Sequence, residues 1–398
     1  MKILCVGARV PYPVRDGGNA RSYRYLRELA RRHQVSYLCR AEGARPEAEQ
    51  HLGTFCAGAE LFVDPLRLTL TNRLGALMRA RPFGIITPGD AFFRRVREVL
   101  GEQAFDLVSL AGVDTALLAE AALETHAVAW DMGDCTSRYY ARQARAEGRP
   151  ARRLWYGLQA AHYRRLERRL LRRDLSVFVA SASEAEALGP REPSWKSRIE
   201  VMPHGVDDVA PAVAGPGPPR LAFTGTLGYP PNADAVLHLC RDIAPRVARE
   251  HPDLGVDVVG AGASADFMSA CRALGPVRFH GFVPDVFDVL RRATVFVCPM
   301  RLGTGVKVKL LEAMACGLPA VATPRAVEGV PEARDGWNLL VAASTDEFVA
   351  GVLRLLGDAT LRRQLGERAR EVIRIYGWER LGERLDRLCR DEVARRAR

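Results

Sequence analysis

Residues 299–323 read PMRLGTGVKVKLLEAMACGLPAVAT and follow the apolar run 294–298. A buried strand, a glycine turn, a helix over about 305–316, a stop at Gly317 and a second buried strand account for that order of residues. The first amides of such a helix have no acceptor within it and carry the positive end of its dipole, so the turn favours an anion such as phosphate. Gly303 and Gly305 permit close approach. On a helical wheel Val306, Leu310, Ala313 and Met314 share one face, and Val308, Lys309 and Glu312 lie on another. Glu312 is therefore predicted to project away from the core. The plain alternative is a βαβ unit whose glutamate and lysines are merely solvated.

The chain has 398 residues, more than one core usually holds, which predicts two domains. A hydrophobic share of 48% and a charged share of 26% are those of an ordinary globular protein and argue against disorder. The start, Met-Lys-Ile-Leu-Cys-Val-Gly, is too short an apolar run for a signal peptide and reads as a first strand. With no uncharged stretch long enough to span a bilayer, a cytoplasmic location is expected. Nine cysteines are scattered without metal-ligand or disulfide spacing, so neither zinc nor a disulfide framework is indicated. The formal charge of +11 implies attraction to nucleic acid, anionic lipid or phosphorylated small molecules without choosing among them.

Apolar runs at 2–6, 34–39, 61–63, 105–110, 127–131 and 175–180 alternate with helical segments, the first of them about 19–32. This pattern predicts a parallel sheet covered on both faces. Residues 208–219 then hold four prolines and two glycines and read as an interdomain linker. A second series follows, with strands at 221–224, 256–259, 277–279 and 295–298 and helices at 233–249, 265–273, 286–292, 344–356 and 361–375. The expected organisation is a first domain over 1–207, a second over 220–375, and a last charged segment, 376–398.

Ligands of open α/β sheets bind beyond the carboxyl ends of strands. Gly17, Gly18 and Arg21 follow the first strand and suit a phosphate or sugar, although Gly-Gly also marks a plain turn. That turn lacks G-x-G-x-x-G, and no Walker lysine is present, which weakens dinucleotide and ATP readings. Asp131 and Asp134, close to Arg138, follow another buried strand. They could position sugar hydroxyls or stabilise developing charge, or Asp134 and Ser137 could simply cap a helix. Between Arg138 and Arg173 stand twelve arginines, many opposite a face of Trp155, Leu158, His162, Tyr163, Leu166 and Leu170. That is a basic amphipathic surface able to meet anionic lipid, or else the solvated side of a core helix.

Taken together, these pieces resemble the retaining GT-B glycosyltransferases of family four. The resemblance is carried by 11–21, Pro203-His-Gly-Val-Asp207, 223–232, the Gly260 turn, His280-Gly-Phe-Val-Pro-Asp285, 303–323 and Gly336-Trp-Asn-Leu-Leu. The run from Phe223-Thr-Gly to Tyr229-Pro-Pro-Asn-Ala-Asp is similar to sugar transferases of bacterial exopolysaccharide systems. The family implies an α/β fold of two facing Rossmann-like domains with an interdomain cleft, and a last helix that crosses back to the first domain. It also implies a nucleoside diphosphate sugar as donor, a glycan or polyprenyl-linked acceptor, anomeric retention, and neither cofactor nor metal.

Carried over by position, Glu312 holds the ribose, while Gly303, Thr304, Gly305, Val306 and Gly225 lie beside the donor phosphates. Gly281, Phe282 and Val283 lie near the base, and Gly17, Gly18 and Arg21 close on the diphosphate. The sequence departs from the family at Thr304, often glutamate, at Thr226 and Asn232, commonly arginine and lysine, and at Asp131, often histidine. Arg301, Lys307 or Lys309 would then supply the missing positive charge. Two other readings fit the same residues, a nucleotide-sugar epimerase and a catalytically silent nucleotide-sugar-binding protein. No motif supports specific nucleic-acid binding, and the partners expected are the nucleotide sugar, the acceptor and the inner face of a membrane.

Overall fold

The computed structural model describes residues 1–14, 17–65, 82, 85–212 and 217–397. The chain divides into two compact units, Met1–Pro203 with Trp378–Arg398, and His204–Gly377. Of the expected linker 208–219, residues 213–216 lie outside the described residues.

In the first unit seven parallel strands run in the order β3-β2-β1-β4-β5-β6-β7. They are β1 (Lys2–Gly7), β2 (Gln34–Ala41), β3 (Gly58–Val63), β4 (Leu107–Ala111), β5 (Ala127–Gly133), β6 (Ser176–Val179) and β7 (Arg198–Val201). Alternate residues enter opposite cores, as the period of a strand requires. Leu4, Val6 and Trp130 join one core with Tyr163, Leu166 and Leu170, and Ile3, Cys5 and Ala129 join the other with Tyr25, Leu29 and Phe178. This two-sided burial explains why the central strands read as apolar runs. β7 was not expected, because Arg198 and Glu200 break its pattern.

The last helix, Trp378–Arg396, packs in this same unit. Trp378 sets its ring edge-on to Tyr25 with centroids 5.9 Å apart, His33 Nε2 lies 2.7 Å from Asp386 Oδ1, and Ser176 Oγ donates to Glu392 Oε2. Leu381, Leu385 and Cys389 complete the core face of the helix.

The second unit is a six-stranded parallel sheet in the order β10-β9-β8-β11-β12-β13. Its strands are β8 (Arg220–Thr224), β9 (Gly255–Val259), β10 (Val277–Gly281), β11 (Val295–Cys298), β12 (Ala320–Ala322) and β13 (Leu340–Val341). The helix expected over 233–249 is broken into Pro230–His238, a π-turn at Leu239–Ile243 and a short Ala244–Val247. Pro245 accounts for the break, since it has no N–H to continue the ladder. Ser344 and Asp358 cap the helices Thr345–Gly357 and Ala359–Ile373, accepting from the amides of Glu347 and Leu361. In each sheet the chain leaves a central strand in both directions, between β1 and β4 and between β8 and β11. These are the switch points at which α/β sheets open a crevice at their carboxyl edge.

Candidate functional site

In the second unit the loops after β8, β9 and β11 meet at the switch point. The loop after β11 differs from expectation. Its helix is Val308–Ala315, not one that starts at residue 305. Gly303 and Gly305 have φ of 99° and 71°, so neither can belong to a right-handed first turn. Residues 303–307 form instead a buried loop ahead of the helix. Lys307 holds that loop closed, its Nζ donating to Thr304 O and Gly305 O at 2.7 Å each. Lys307, expected to contribute charge to the donor phosphates, thus has its ammonium turned onto its own loop.

Lys309 stands one residue into the helix. Its Nζ donates to Asn232 Oδ1 and lies 4.4 Å above the Phe223 ring. Asn232 in turn donates from Nδ2 to Thr226 O at 2.8 Å. Gly225 makes room for this group, since a Cβ there would stand 2.6 Å from Lys309 Nζ and 2.7 Å from Asn232 Nδ2. Burial, aided by Lys307, pulls the Lys309 ammonium down to about 8, against the opposing pull of Cys298 and Glu312. Arg301 is exposed and forks onto Asp234 at 2.6 and 3.1 Å, so its charge is already matched.

Glu312 is half-buried, which corrects the expectation that it points away into solvent. Burial pushes its carboxyl up to about 7, with Lys309 opposing and Asp207 adding to the shift. On the edge beyond β10, Gly281 has φ of 68° and Phe282 is 57% exposed, with Val283 half-buried behind it. His280 and Arg220 both bind Asp257, at 2.7 Å and through a two-pronged contact. That buried carboxylate was not anticipated, and nothing in its local sequence signals it.

In the first unit Gly17 and Gly18 open the helix Gly17–Ala30, and Arg15 and Asp16 of the same turn lie outside the described residues. Arg21 is buried on this helix. Its Nε donates to Asp131 Oδ2 at 2.8 Å and its second nitrogen to Oδ1 at 2.7 Å, while the Tyr25 ring lies 4.5 Å below the guanidinium. Both oxygens of Asp131 are therefore engaged in a two-pronged pair with Arg21. Asp134 is half-buried just beyond β5 and acts on Arg21 through charge.

The next helix, Thr136–Ala146, receives no cap from its own N-cap residue, Cys135. Two distant buried glutamates take that place: Glu184 accepts from the Cys135 amide at 2.7 Å and Glu167 from the Ser137 amide at 3.0 Å. Arg138 reaches Glu184 at 2.9 Å. The arginine-rich region holds two helices, Thr136–Ala146 and Pro150–Leu171, and the expected apolar face lies on the second. Of its expected apolar face, Tyr163, Leu166 and Leu170 are buried but Trp155 is exposed.

Residues 218–358 match the family model of glycosyl transferases group 1. The matched segment contains β8 to β13, the glycine loop and Glu312. Among curated relatives, the phosphatidyl-myo-inositol mannosyltransferase of Mycolicibacterium smegmatis is 30% identical over 210 residues, 50% of this chain and 52% of the relative. A GDP-mannose-dependent monoacylated alpha-(1-6)-phosphatidylinositol monomannoside mannosyltransferase of Corynebacterium glutamicum is 28% identical over 165 residues, 37% of this chain and 42% of the relative. The chain thus spans about half the length, or less, of these relatives.

Solved structures agree over nearly the whole chain. HepE of Anabaena, in complex with UDP and glucose, superposes with a TM-score of 0.69 at 14% identity, covering 97% of this chain and 98% of that one. Sucrose-phosphate synthase of Thermosynechococcus elongatus gives 0.72 at 15% identity, with coverage of 99% and 100%. The fold is that of the GT-B glycosyltransferases, two Rossmann-like domains each built on a parallel sheet.

Proposed function

We propose that this chain moves a sugar from a nucleoside diphosphate sugar to a glycan or lipid-linked acceptor, with retention at the anomeric carbon, in polysaccharide biosynthesis. The observation that carries the reading is the Glu312 carboxylate, half-buried behind the glycine loop and inside the segment that matches group 1 glycosyl transferases. No hydrogen-bond donor among the described residues reaches it, and ribose hydroxyls are donors of the right kind. Amides of 303–307 and the Lys309 ammonium suit the diphosphate, where charge grows as the bond to the sugar breaks. The acceptor hydroxyl oxygen bonds to the anomeric carbon, the diphosphate leaves with the bonding pair of the broken bond, and the hydroxyl proton passes to the departing diphosphate oxygen. Phe282, exposed at the β10 edge, offers a face to the base.

Retention and independence of metal rest on the resemblance of the motifs. A lipid-linked acceptor is supported by the names of the mannosyltransferase relatives, whose acceptors are phosphatidylinositols. Among the described residues no helix is long and apolar enough to cross a membrane, so meeting such an acceptor calls for attachment at the membrane surface.

A donor screen tests the reading, because a ligand that binds only the native state raises the melting temperature. UDP, GDP and their sugars are the probes. One nucleotide family should stabilise the chain, and its sugar should be transferred with the α or β configuration kept, read by proton NMR of the product. Stabilisation by none of them would sink the proposal.

A further inference from the structure

The helix Pro150–Leu171 carries a surface that nucleotide-sugar chemistry does not use. Arg164, Arg165, Arg168, Arg169, Arg172 and Arg173 line an open groove of about 710 Å³ along it and just past its end. Among the described residues two carboxylates reach four of these six guanidiniums, Glu120 at Arg169 and Arg173 and Glu192 at Arg168 and Arg172. Arg164 and Arg165 are exposed, with no carboxylate within ion-pair distance among the described residues; Glu167 acts on Arg164 only from further off. Like charges held side by side repel, so an anionic surface that supplies counter-charge is attracted there.

Arg165 and Arg169 also line a second cavity, of about 500 Å³, so the two share a wall. Its lining is apolar at Ile85, Phe93, Leu117, Ala121 and Leu166 and polar at Arg97, Glu120, Glu124 and His162. His162 Nδ1 has no hydrogen-bond partner among the described residues. A free phosphate would satisfy the arginines and leave the apolar walls unused, whereas an anionic lipid uses both. Further along the same helix Leu154 is 66% and Trp155 41% exposed. On the helical wheel Leu154 falls in line with Ala161, Arg165 and Arg172, which joins apolar and basic residues on one side as interfacial helices do.

We propose that this face docks on an anionic phospholipid bilayer, with lipid phosphates on the arginine row and one lipid chain entering the cavity walled by Phe93, Ala121 and Leu166. Such docking would hold the chain at the surface where a lipid-linked acceptor resides and in that respect rests on the glycosyl-transfer reading, yet it is measured without turnover. The full chain is sedimented with vesicles of phosphatidylcholine alone or mixed equally with phosphatidylglycerol. At about fivefold in affinity for each basic residue near an anionic surface, the wild type should prefer the mixed vesicles by tenfold or more, and added salt should weaken the preference.

The double variant Arg164→Glu with Arg165→Glu, at positions without an ion pair to lose, should lower that binding by tenfold or more; the milder pair Arg164→Gln with Arg165→Gln should fall between. Ala121→Trp, which fills the cavity and leaves the charge, should weaken binding several-fold. Each variant should melt as the wild type does and keep its stabilisation by nucleotide. Equal binding to both kinds of vesicle, or charge variants that bind as the wild type, would overturn the docking surface. Wild-type binding by Ala121→Trp would overturn the inserted chain. Displacement by inorganic phosphate beyond the effect of sodium chloride at equal ionic strength would assign the arginines to a soluble anion instead. Vesicle binding without any sugar transfer would leave the docking surface standing and remove the transferase reading.

Discussion

At Glu312 and Lys309 burial works against both charges, and under the proposed function each charge is held for the donor. Ribose hydroxyls need the carboxylate ionised, and diphosphate oxygens need the ammonium protonated. With the carboxyl pushed up to about 7 and the ammonium pulled down to about 8, donor affinity should be greatest between those values. It should fall towards acid as Glu312 takes up a proton, and towards alkali as Lys309 loses one. The same shifts set stability: the raised carboxyl costs stability as pH rises from the usual carboxylate range through about 7, and the lowered ammonium costs stability as pH falls through the usual lysine range to about 8. Calorimetric titration of nucleotide across the neutral range should show both limbs. Glu312→Gln should remove the acid limb and cost ~1.5–3 kcal/mol of donor binding, the worth of a hydrogen bond to a charged group; an unchanged acid limb would place the titrating group elsewhere.

The Arg21–Asp131 pair makes a second prediction at this scale. Arg21→Met leaves a buried carboxylate without its partner and should cost ~3–5 kcal/mol, while Arg21→Met combined with Asp131→Asn should recover most of that. Thermal melts of the three proteins check it, and additive losses would show that the two side chains do not act together. Helical spacing alone marks Glu312 as standing off the core face. Its half-burial and the pairing of Asp131 were not legible, because the groups that act on them are far away in sequence: Asp207 on Glu312 in the one case, Arg21 on Asp131 in the other.

Among the elements, the parallel strands are legible wherever both faces are buried, since every residue is then apolar. They fail to show where one face is wet or the strand is brief, as at β7 with Arg198 and Glu200 and at β13 with two residues. The start of the helix after β11 is misread for another reason. Glycine is compatible with the first turn of a helix and with a left-handed loop alike, and only the fold selects between them. Gly225 offers a test of what such a loop does. A Cβ there would crowd Lys309 Nζ and Asn232, at a φ of 148° that L side chains rarely adopt. Gly225→Ala should therefore weaken donor binding by about tenfold and cost ~1–3 kcal/mol of stability. Gly281→Ala is the control: its φ of 68° is also unfavourable, but its Cβ would meet nothing within 4 Å among the described residues. It should cost ~1–2 kcal/mol of stability with a smaller loss of nucleotide affinity. Equal loss of affinity in the two variants would remove the special role of the Gly225–Lys309 contact.

For the whole molecule, the question is how a chain that completes its second unit at Gly377 uses its last residues. Periodicity in the charged segment after Gly377 predicts a helix but not its destination; the return to the first domain is what the family resemblance implies. In the structure Trp378, Leu381, Leu385 and Cys389 enter the core beside Tyr25 and Leu29, and Glu392 caps the contact at Ser176. Burying apolar side chains of this size is worth roughly 1.5–3 kcal/mol each, so together they match a large part of the marginal stability of a domain. Truncation after Gly377 should therefore lower or abolish the melting transition of the first unit. It takes no residue from the Gly303–Glu312 loop or from the sheet β8–β13. In differential scanning calorimetry the remaining transition should still move upward with the nucleotide that stabilises the full chain, because selective binding acts only on the unit that binds. A truncated chain whose first unit melts as before would show that the last helix is not part of that core. Loss of the nucleotide-dependent shift would instead show that donor binding needs the first unit as well as the loop that carries Glu312.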